Sequence, residues 1–404
     1  MKILQVNVVY GRGSTGKITA DIHKELRKKG HESIVCTSRL TQSEDINVIN
    51  LCGINYSRIN AIINRITGFL YGGCLLSTKK LISIIKKEKP EVVHLQCING
   101  NFINIYKLLS WLKLNNIRTV LTLHAEFMYT GGCSYVVDCE KWKSGCEKCD
   151  RYKTEMKSIF FDRSHEAWIE LKKSVENFKY LTIVPVSYWI AEQVSKSPIY
   201  RNFPIKVIHN GIDTECFENC KTSDIINLKK KYGIPLDKKI VLHVTPNFFS
   251  DEKGGEYFYK LVEILPNEYQ AIVVGYKGNK MNKLIGIKFL ENQKELAIFY
   301  SMADVFVITS KIDNYPTVCI EANCCGTPVV GFDVGGVKET IGNGMGEVIP
   351  AFNIKKMLEK IIYWSNHKIN ISNELKQTRI EYCKKERMVR DYLNLYRDIL
   401  SKNN

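Results

Sequence analysis

The chain has 404 residues, 45% of them hydrophobic and 25% charged, and a formal charge of +16 at pH 7. That length exceeds what one hydrophobic core usually serves, so two lobes are expected. No run reaches the roughly 18 uncharged apolar residues of a bilayer span, the amino terminus lacks the ordered regions of a secretory signal, and no zinc-finger, RRM-like or helix-turn-helix pattern accompanies the basic charge. A spanning protein, an exported protein and a nucleic-acid binder are therefore set aside, and a cytoplasmic location is expected.

In chain order, short β-branched runs alternate with segments of helical period. Ile3 to Val9 reads as a strand, Thr19 to Lys29 as a helix and Ser33 to Thr37 as a strand. Val92 to Leu95, Ile103 to Lys113 and Thr119 to Leu123 repeat the alternation as strand, helix and strand. The rhythm restarts with strands at Leu181 to Val186, Lys206 to Ile208, Ile240 to Val244, Ala271 to Val274, Val305 to Thr309 and Val329 to Phe332. This is the parallel α/β pattern, and it predicts two doubly wound sheets. Pro198, Pro204 and Asn210-Gly211 punctuate the chain between the series, which places the boundary near 207. The expected domains are 1–207, 208–380 and a terminal helical segment, 381–404, crossing back to the first domain. Asn373 to Ser401 reads as one amphipathic helix.

Ligands of open α/β sheets sit at the carboxyl ends of strands, so the strand-to-helix loops should carry the chemistry. Gly11-Arg12-Gly13-Ser14-Thr15-Gly16-Lys17 follows the first strand and opens a helix. It fits a dinucleotide fingerprint without a well-placed ribose acid, or a P-loop in which Ile18 replaces the metal-binding hydroxyl. It also fits a plain tight turn.

The densest signal runs from Ala303 to Val330. Asp313 and Glu321 stand eight positions apart around Pro316, the first in a loop after a strand and the second about one turn into the following helix. Two carboxylates so placed are acceptors for vicinal hydroxyls. With this pattern the chain resembles the glycogen-synthase-like group of retaining glycosyltransferases, family 4, although the family more often has Glu at the first acid. The resemblance implies the GT-B architecture, two Rossmann-like domains facing a deep cleft, and a nucleotide-diphosphate sugar as donor. It assigns the ribose to Glu321 and the transferred sugar to Asp313, with Asn314, Tyr315 and Thr317 beside the donor. Gly335-Gly336 would let backbone approach the donor closely.

Lys253 matches the family position that neutralises the diphosphate, but the Arg that many relatives place a few residues earlier is replaced by Thr245-Pro246-Asn247. His124 ends a buried strand and matches the histidine that meets the donor sugar at the reacting face. His94 has the same setting one strand earlier. Gly13 and Gly16 become candidate donors of backbone N–H groups to a phosphate. No metal cofactor is required for such a transfer, whose retention is usually explained by same-face attack through an oxocarbenium-like state.

Fourteen cysteines without an export signal indicate thiols or metal ligands. Cys133, Cys139, Cys146 and Cys149 lie in a segment, 131–150, whose C-x5-C-x6-C-x2-C spacing suits a structural zinc or four packed thiols. A similar insertion occurs in bacterial polysaccharide-pathway members of the family, which implies a saccharide or lipid-linked saccharide acceptor in exopolysaccharide, capsule or lipopolysaccharide assembly. Lysine clusters such as Lys79-Lys80 and Lys229-Lys230-Lys231 suit a solvated surface or peripheral contact with an anionic membrane. The competing readings are a non-catalytic GT-B partner subunit and a phosphorylase-like or epimerase-like use of the same scaffold.

Overall fold

The computed structural model describes residues 1–38, 45–217, 220–276, 278, 283–368 and 371–401. The chain divides into two compact units, Met1–His209 with Met388–Asn404, and Asn210–Arg387. Each is built around a six-stranded parallel sheet, so the fold is α/β with two doubly wound sheets.

In the first unit the strands are β1 (Lys2–Val6), β2 (Glu32–Thr37), β3 (Val48–Asn50), β4 (Val92–Leu95), β5 (Thr119–Leu123) and β6 (Leu181–Pro185), ordered β3-β2-β1-β4-β5-β6. Its helices are α1 (Gly13–Lys28), α2 (Ile54–Thr67), α3 (Leu75–Glu88), α4 (Ile105–Leu114), α5 (Ser164–Val175) and α6 (Tyr188–Lys196). In the second unit β7 (Lys239–Val244), β8 (Tyr269–Val274), β9 (Leu284–Ile287), β10 (Val305–Ile308), β11 (Val329–Phe332) and β12 (Gly346–Ile349) are ordered β12-β11-β10-β7-β8-β9. The helices there are α7 (Thr222–Tyr232), α8 (Gly255–Ile264), α9 (Gln293–Met302), α10 (Thr317–Cys324), α11 (Ile354–His367) and α12 (Asn373–Cys383). The last helix, α13 (Lys385–Ser401), passes from the second unit into the first at Met388.

Strands covered on both faces read as continuous apolar runs, which is why β4, β5, β8, β10 and β11 are buried along their whole length. Ile3, Val92, Val120 and Val184 meet Ile18, Ile22 and Leu26 of α1 and Met388, Tyr392 and Tyr396 of α13 in one core. In the second unit Val241, Val273, Val305, Val307 and Val330 pack with Phe258 and Leu261 of α8 and Met357 and Ile361 of α11.

Three expectations are corrected. Leu181 to Val186 does not open the second series, because β6 pairs with β5 at the edge of the first sheet. Lys206 to Ile208 is not a strand; it runs along β6 through Lys206 N–H to Ile183 O at 3.0 Å and Ile208 N–H to Pro185 O at 3.2 Å. Pro204, which has no N–H, precedes it and allows only this short edge contact. The terminal helix breaks at Lys384, whose neighbours exchange hydrogen bonds with Ile212: Ile212 N–H to Cys383 O and Lys385 N–H to Ile212 O, each 2.9 Å. Those groups are lost to the helical ladder, and Lys384 turns extended, with ψ 137°.

Candidate active site

In each sheet the strand order reverses once, and the loops at the carboxyl ends of the two strands flanking that point face each other across a crevice. In the second unit these strands are β7 and β10. The loop after β7 carries Lys253 and the loop after β10 carries Asp313. Their side chains meet, with Lys253 Nζ 2.7 Å from Asp313 Oδ2 and the two side chains 18% and 15% exposed. The pair is sheltered enough for its charge to matter, yet open to a ligand.

Backbone geometry holds it there. Lys253 ends a single helical turn, Asp251–Lys253, closed by Gly254 at φ 62°. A Cβ on Gly254 would lie 1.9 Å from Thr309 O, so this turn rests directly on the end of β10. Lys311 N–H donates to Glu252 O at 2.9 Å and completes the clamp. On the other side Gly335, at φ 54°, passes so close to Asp313 that a Cβ would lie 2.1 Å from Asp313 O. Gly336 N–H donates to that oxygen at 2.8 Å. The two glycines thus fix the Asp313 backbone while leaving its carboxylate to Lys253.

Asn314 and Tyr315 follow as buried residues, and Thr317 is the first residue of α10. Glu321 sits one turn further on, where the Tyr300 hydroxyl donates to Glu321 Oε2 at 2.9 Å. Tyr300 is fully buried on α9 and holds the carboxylate in place. A cavity of about 270 Å³ beside Gly254 is lined by Phe248, Phe249, Asp251, Glu256 and Tyr259; neither Asp313 nor Glu321 lines it.

In the first unit the reversal falls between β1 and β4. Gly11 and Gly13 adopt φ 70° and 61°, and Gly11 N–H donates to Gly16 O at 2.9 Å, which folds the loop back onto the first turn of α1. Gly16 is buried: a Cβ there would lie 3.0 Å from Val9 Cγ2. The first turn of α1 contains no acid and its Arg12 cap gives no side-chain hydrogen bond; helix starts in general favour negative charge.

His124 lies immediately after β5, partly exposed, with Nε2 3.4 Å from Gln96 Oε1. Burial of the imidazole pushes its pKa down to about 4. His94 is different: Nε2 is 2.8 Å from Thr122 Oγ1 and Nδ1 2.8 Å from the Tyr396 hydroxyl, in a fully buried setting. It is a core histidine tied to α13, not a ligand-facing one.

Among the described residues no group of three or more His, Cys, Asp or Glu side chains is arranged to hold a metal ion. The thiols of Cys133, Cys139, Cys146 and Cys149 nevertheless lie near one another: Gly131 N–H donates to Cys146 Sγ at 3.1 Å, and the Cys133 thiol donates to Cys149, holding the Cys149 thiol down.

The motif reading missed Tyr300, Gln96 and Glu126. Glu126, 1% exposed, accepts from the Tyr129 hydroxyl at 2.8 Å and from Val136 N–H at 3.2 Å, tying the cysteine segment to the end of β5; burial pushes its pKa up to about 7. An acid beside a strand-end histidine was the available signal.

Two family models match the chain in succession: Glycosyltransferase Family 4 over residues 15–216 and Glycosyl transferases group 1 over 224–386. The chain is 21% identical to an Escherichia coli K12 protein named for colanic acid biosynthesis, the glycosyl transferase WcaC, over 99% of this chain and all of the relative. It is also 21% identical to N-acetyl-alpha-D-glucosaminyl L-malate synthase of Bacillus anthracis, over 96% and 94%. Among solved structures, sucrose-phosphate synthase of Thermosynechococcus elongatus superposes over the full length of both chains with a TM-score of 0.67 at 17% identity. Anabaena HepE, solved with UDP-glucose, does so with a TM-score of 0.65 at 15%. At such identities these structures speak for the fold alone, the two-domain GT-B architecture. With one family model spanning half its length and the other most of the remainder, the chain is a glycosyltransferase and belongs to glycosyltransferase family 4.

Proposed function

We propose that this enzyme takes a sugar from a nucleoside-diphosphate donor and attaches it, with retained anomeric configuration, to a saccharide or lipid-linked saccharide during assembly of a bacterial surface polysaccharide. The observation that carries the reading is the Lys253–Asp313 pair at the strand-order reversal of the second sheet, with Glu321 one turn into the helix that follows Asp313. Lys253 Nζ supplies positive charge where a leaving diphosphate would collect negative charge, the kind of stabilisation that dominates such transfers. Asp313 accepts hydrogen bonds from hydroxyls of the transferred sugar, and Glu321, oriented by Tyr300, accepts from the ribose. The amide groups of the Gly13–Gly16 turn receive phosphate oxygens, and neutral His124 offers its imidazole to the donor sugar. Departing phosphate oxygen takes the acceptor proton, so Asp313 is not a nucleophile. WcaC, named for colanic acid biosynthesis, supports the polysaccharide assignment, and HepE, solved with UDP-glucose, makes uridine nucleotides the first donors to try.

The test is product analysis. UDP-, GDP- and ADP-sugars are incubated with the enzyme and a bacterial glycolipid extract, and the new linkage is assigned by NMR. One donor base should be preferred, with the donor's anomeric configuration kept. An inverted linkage, or a folded enzyme that consumes no donor, would overturn the proposal.

A further inference from the structure

Helix α2 is folded inside out. Its inward residues are polar: Ser57, Asn60 and Asn64 are the ones buried, whereas Ile59, Ile62, Ile63 and Ile66 are 45 to 58% exposed. The four isoleucines follow an i, i+3, i+4, i+7 spacing and so form one stripe along the helix. Rolling the helix to bury them would break the bonds that lock its polar side. Asn60 Oδ1 accepts from Cys74 N–H at 2.8 Å, and Asn64 Nδ2 donates to Asn101 Oδ1 at 2.5 Å.

The apolar ridge continues beyond the helix. Ile159 N–H donates to Arg65 O at 2.8 Å, which seats Ile159, Phe160 and Phe161 at the end of α2, and these three are 52 to 63% exposed. At the other end Leu76, 70% exposed, donates its N–H to the Tyr56 hydroxyl at 3.2 Å. Exposed apolar patches of this kind mark interaction surfaces.

Charge identifies the partner. From Ile46 to Lys87 the chain has no Asp or Glu, but it has Arg58, Arg65, Lys79, Lys80, Lys86 and Lys87. Arg58 and Arg65 are exposed on α2 itself, and Lys79 and Lys80 are exposed on the first turns of α3. An isoleucine stripe rimmed by cations and free of acids suits a helix lying in the headgroup region of an anionic bilayer.

We infer that α2, with Leu76 and the Ile159–Phe161 segment, is the surface by which this enzyme docks onto an anionic lipid membrane. Docking of this sort would present the first unit to lipid-borne acceptors; it extends the transfer reading, yet is tested without it.

The experiment is flotation of the full chain with vesicles of phosphatidylcholine alone or mixed with phosphatidylglycerol. An Ile62→Gln/Ile63→Gln/Ile66→Gln variant and an Arg58→Gln/Arg65→Gln variant are run beside it, with thermal melts to confirm folding. The parent should float with the anionic vesicles, and the isoleucine variant should lose about tenfold or more of that binding at every salt concentration. The arginine variant should lose most at low salt, since screening removes the same attraction. Absence of the parent from anionic vesicles, or undiminished binding by the folded isoleucine variant, would overturn the inference. So would a parent dimer in sedimentation that the isoleucine variant abolishes while vesicles stay unbound, which would assign the ridge to a second copy. Donor binding by calorimetry should be the same in all three proteins, so failure of the donor reading would be seen separately.

Discussion

Lys253 Nζ and Asp313 Oδ2 stand 2.7 Å apart although 60 residues separate them, because Gly254 and Gly335 let two loops close on the end of β10. The roles proposed for the two residues rest on that arrangement. Lys253→Met should lower kcat on the order of a hundredfold or more, the loss typical of removing one group that stabilises a leaving or developing anion. Steady-state transfer rates check it; a variant within threefold of the parent enzyme would remove Lys253 from the mechanism.

Gly335→Ala puts a methyl group 2.1 Å from Asp313 O at φ 54°. The loop must shift, so donor KM should rise more than the loss of stability explains, and unfolding should become easier by roughly 1–3 kcal/mol. Gly233→Ala, also at positive φ but with nothing within 4 Å, is the control for backbone strain without a clash. Comparable donor KM values in the two variants would contradict the role given to Gly335.

Tyr300→Phe keeps the ring packing and removes the hydroxyl that donates to Glu321. Donor KM should increase with little change in kcat, because an unguided carboxylate binds ribose less well in ground and transition states alike. Steady-state kinetics of this variant beside Glu321→Gln checks it. A fall in kcat with unchanged KM would place Glu321 at the reacting centre instead.

Stability should fall on acidification from about pH 6.5 downward. Burial lowers His94 to about 3 and His243 to about 4, so the unfolded chain binds protons in that range and the folded chain does not. Each adds up to about 1.4 kcal/mol of lost stability per pH unit between its two pKa values. Glu126 acts with the opposite sign, since its folded pKa of about 7 lies above the unfolded value and its burial costs stability as pH rises through that window. Glu126→Gln should therefore be more favourable at pH 8 than at pH 5. Urea unfolding at the two pH values, with the variant alongside, reads both effects.

The fold was legible because buried parallel strands leave β-branched runs that composition alone separates from helices. Strands β3, β9 and β12 were not anticipated: they are three or four residues long, with Gly286 inside β9 and Gly346 opening β12. The places of Asp313, in the loop after a strand, and of Glu321, one turn into the next helix, were legible from the strand-to-helix pattern. What a single sequence hides is which side a strand-end residue faces. His94 and His124 look alike in sequence, and only the tyrosines of α13, some 300 residues away, make the first a core residue. The four cysteines are a related case, because spacing along a loop does not state which thiols meet, and the contact between Cys133 and Cys149 is visible only in the fold.

Donor binding by the second unit through Lys253, Asp313 and Glu321 is tested most directly by calorimetric titration of UDP, GDP and ADP and their sugars into the parent protein and Glu321→Ala. Such a site should bind one base family saturably, with affinity reduced on the order of tenfold or more in the variant, the usual cost of a lost charged hydrogen bond. Equal affinity in the folded variant, or no binding of any nucleotide by the folded parent, would contradict it.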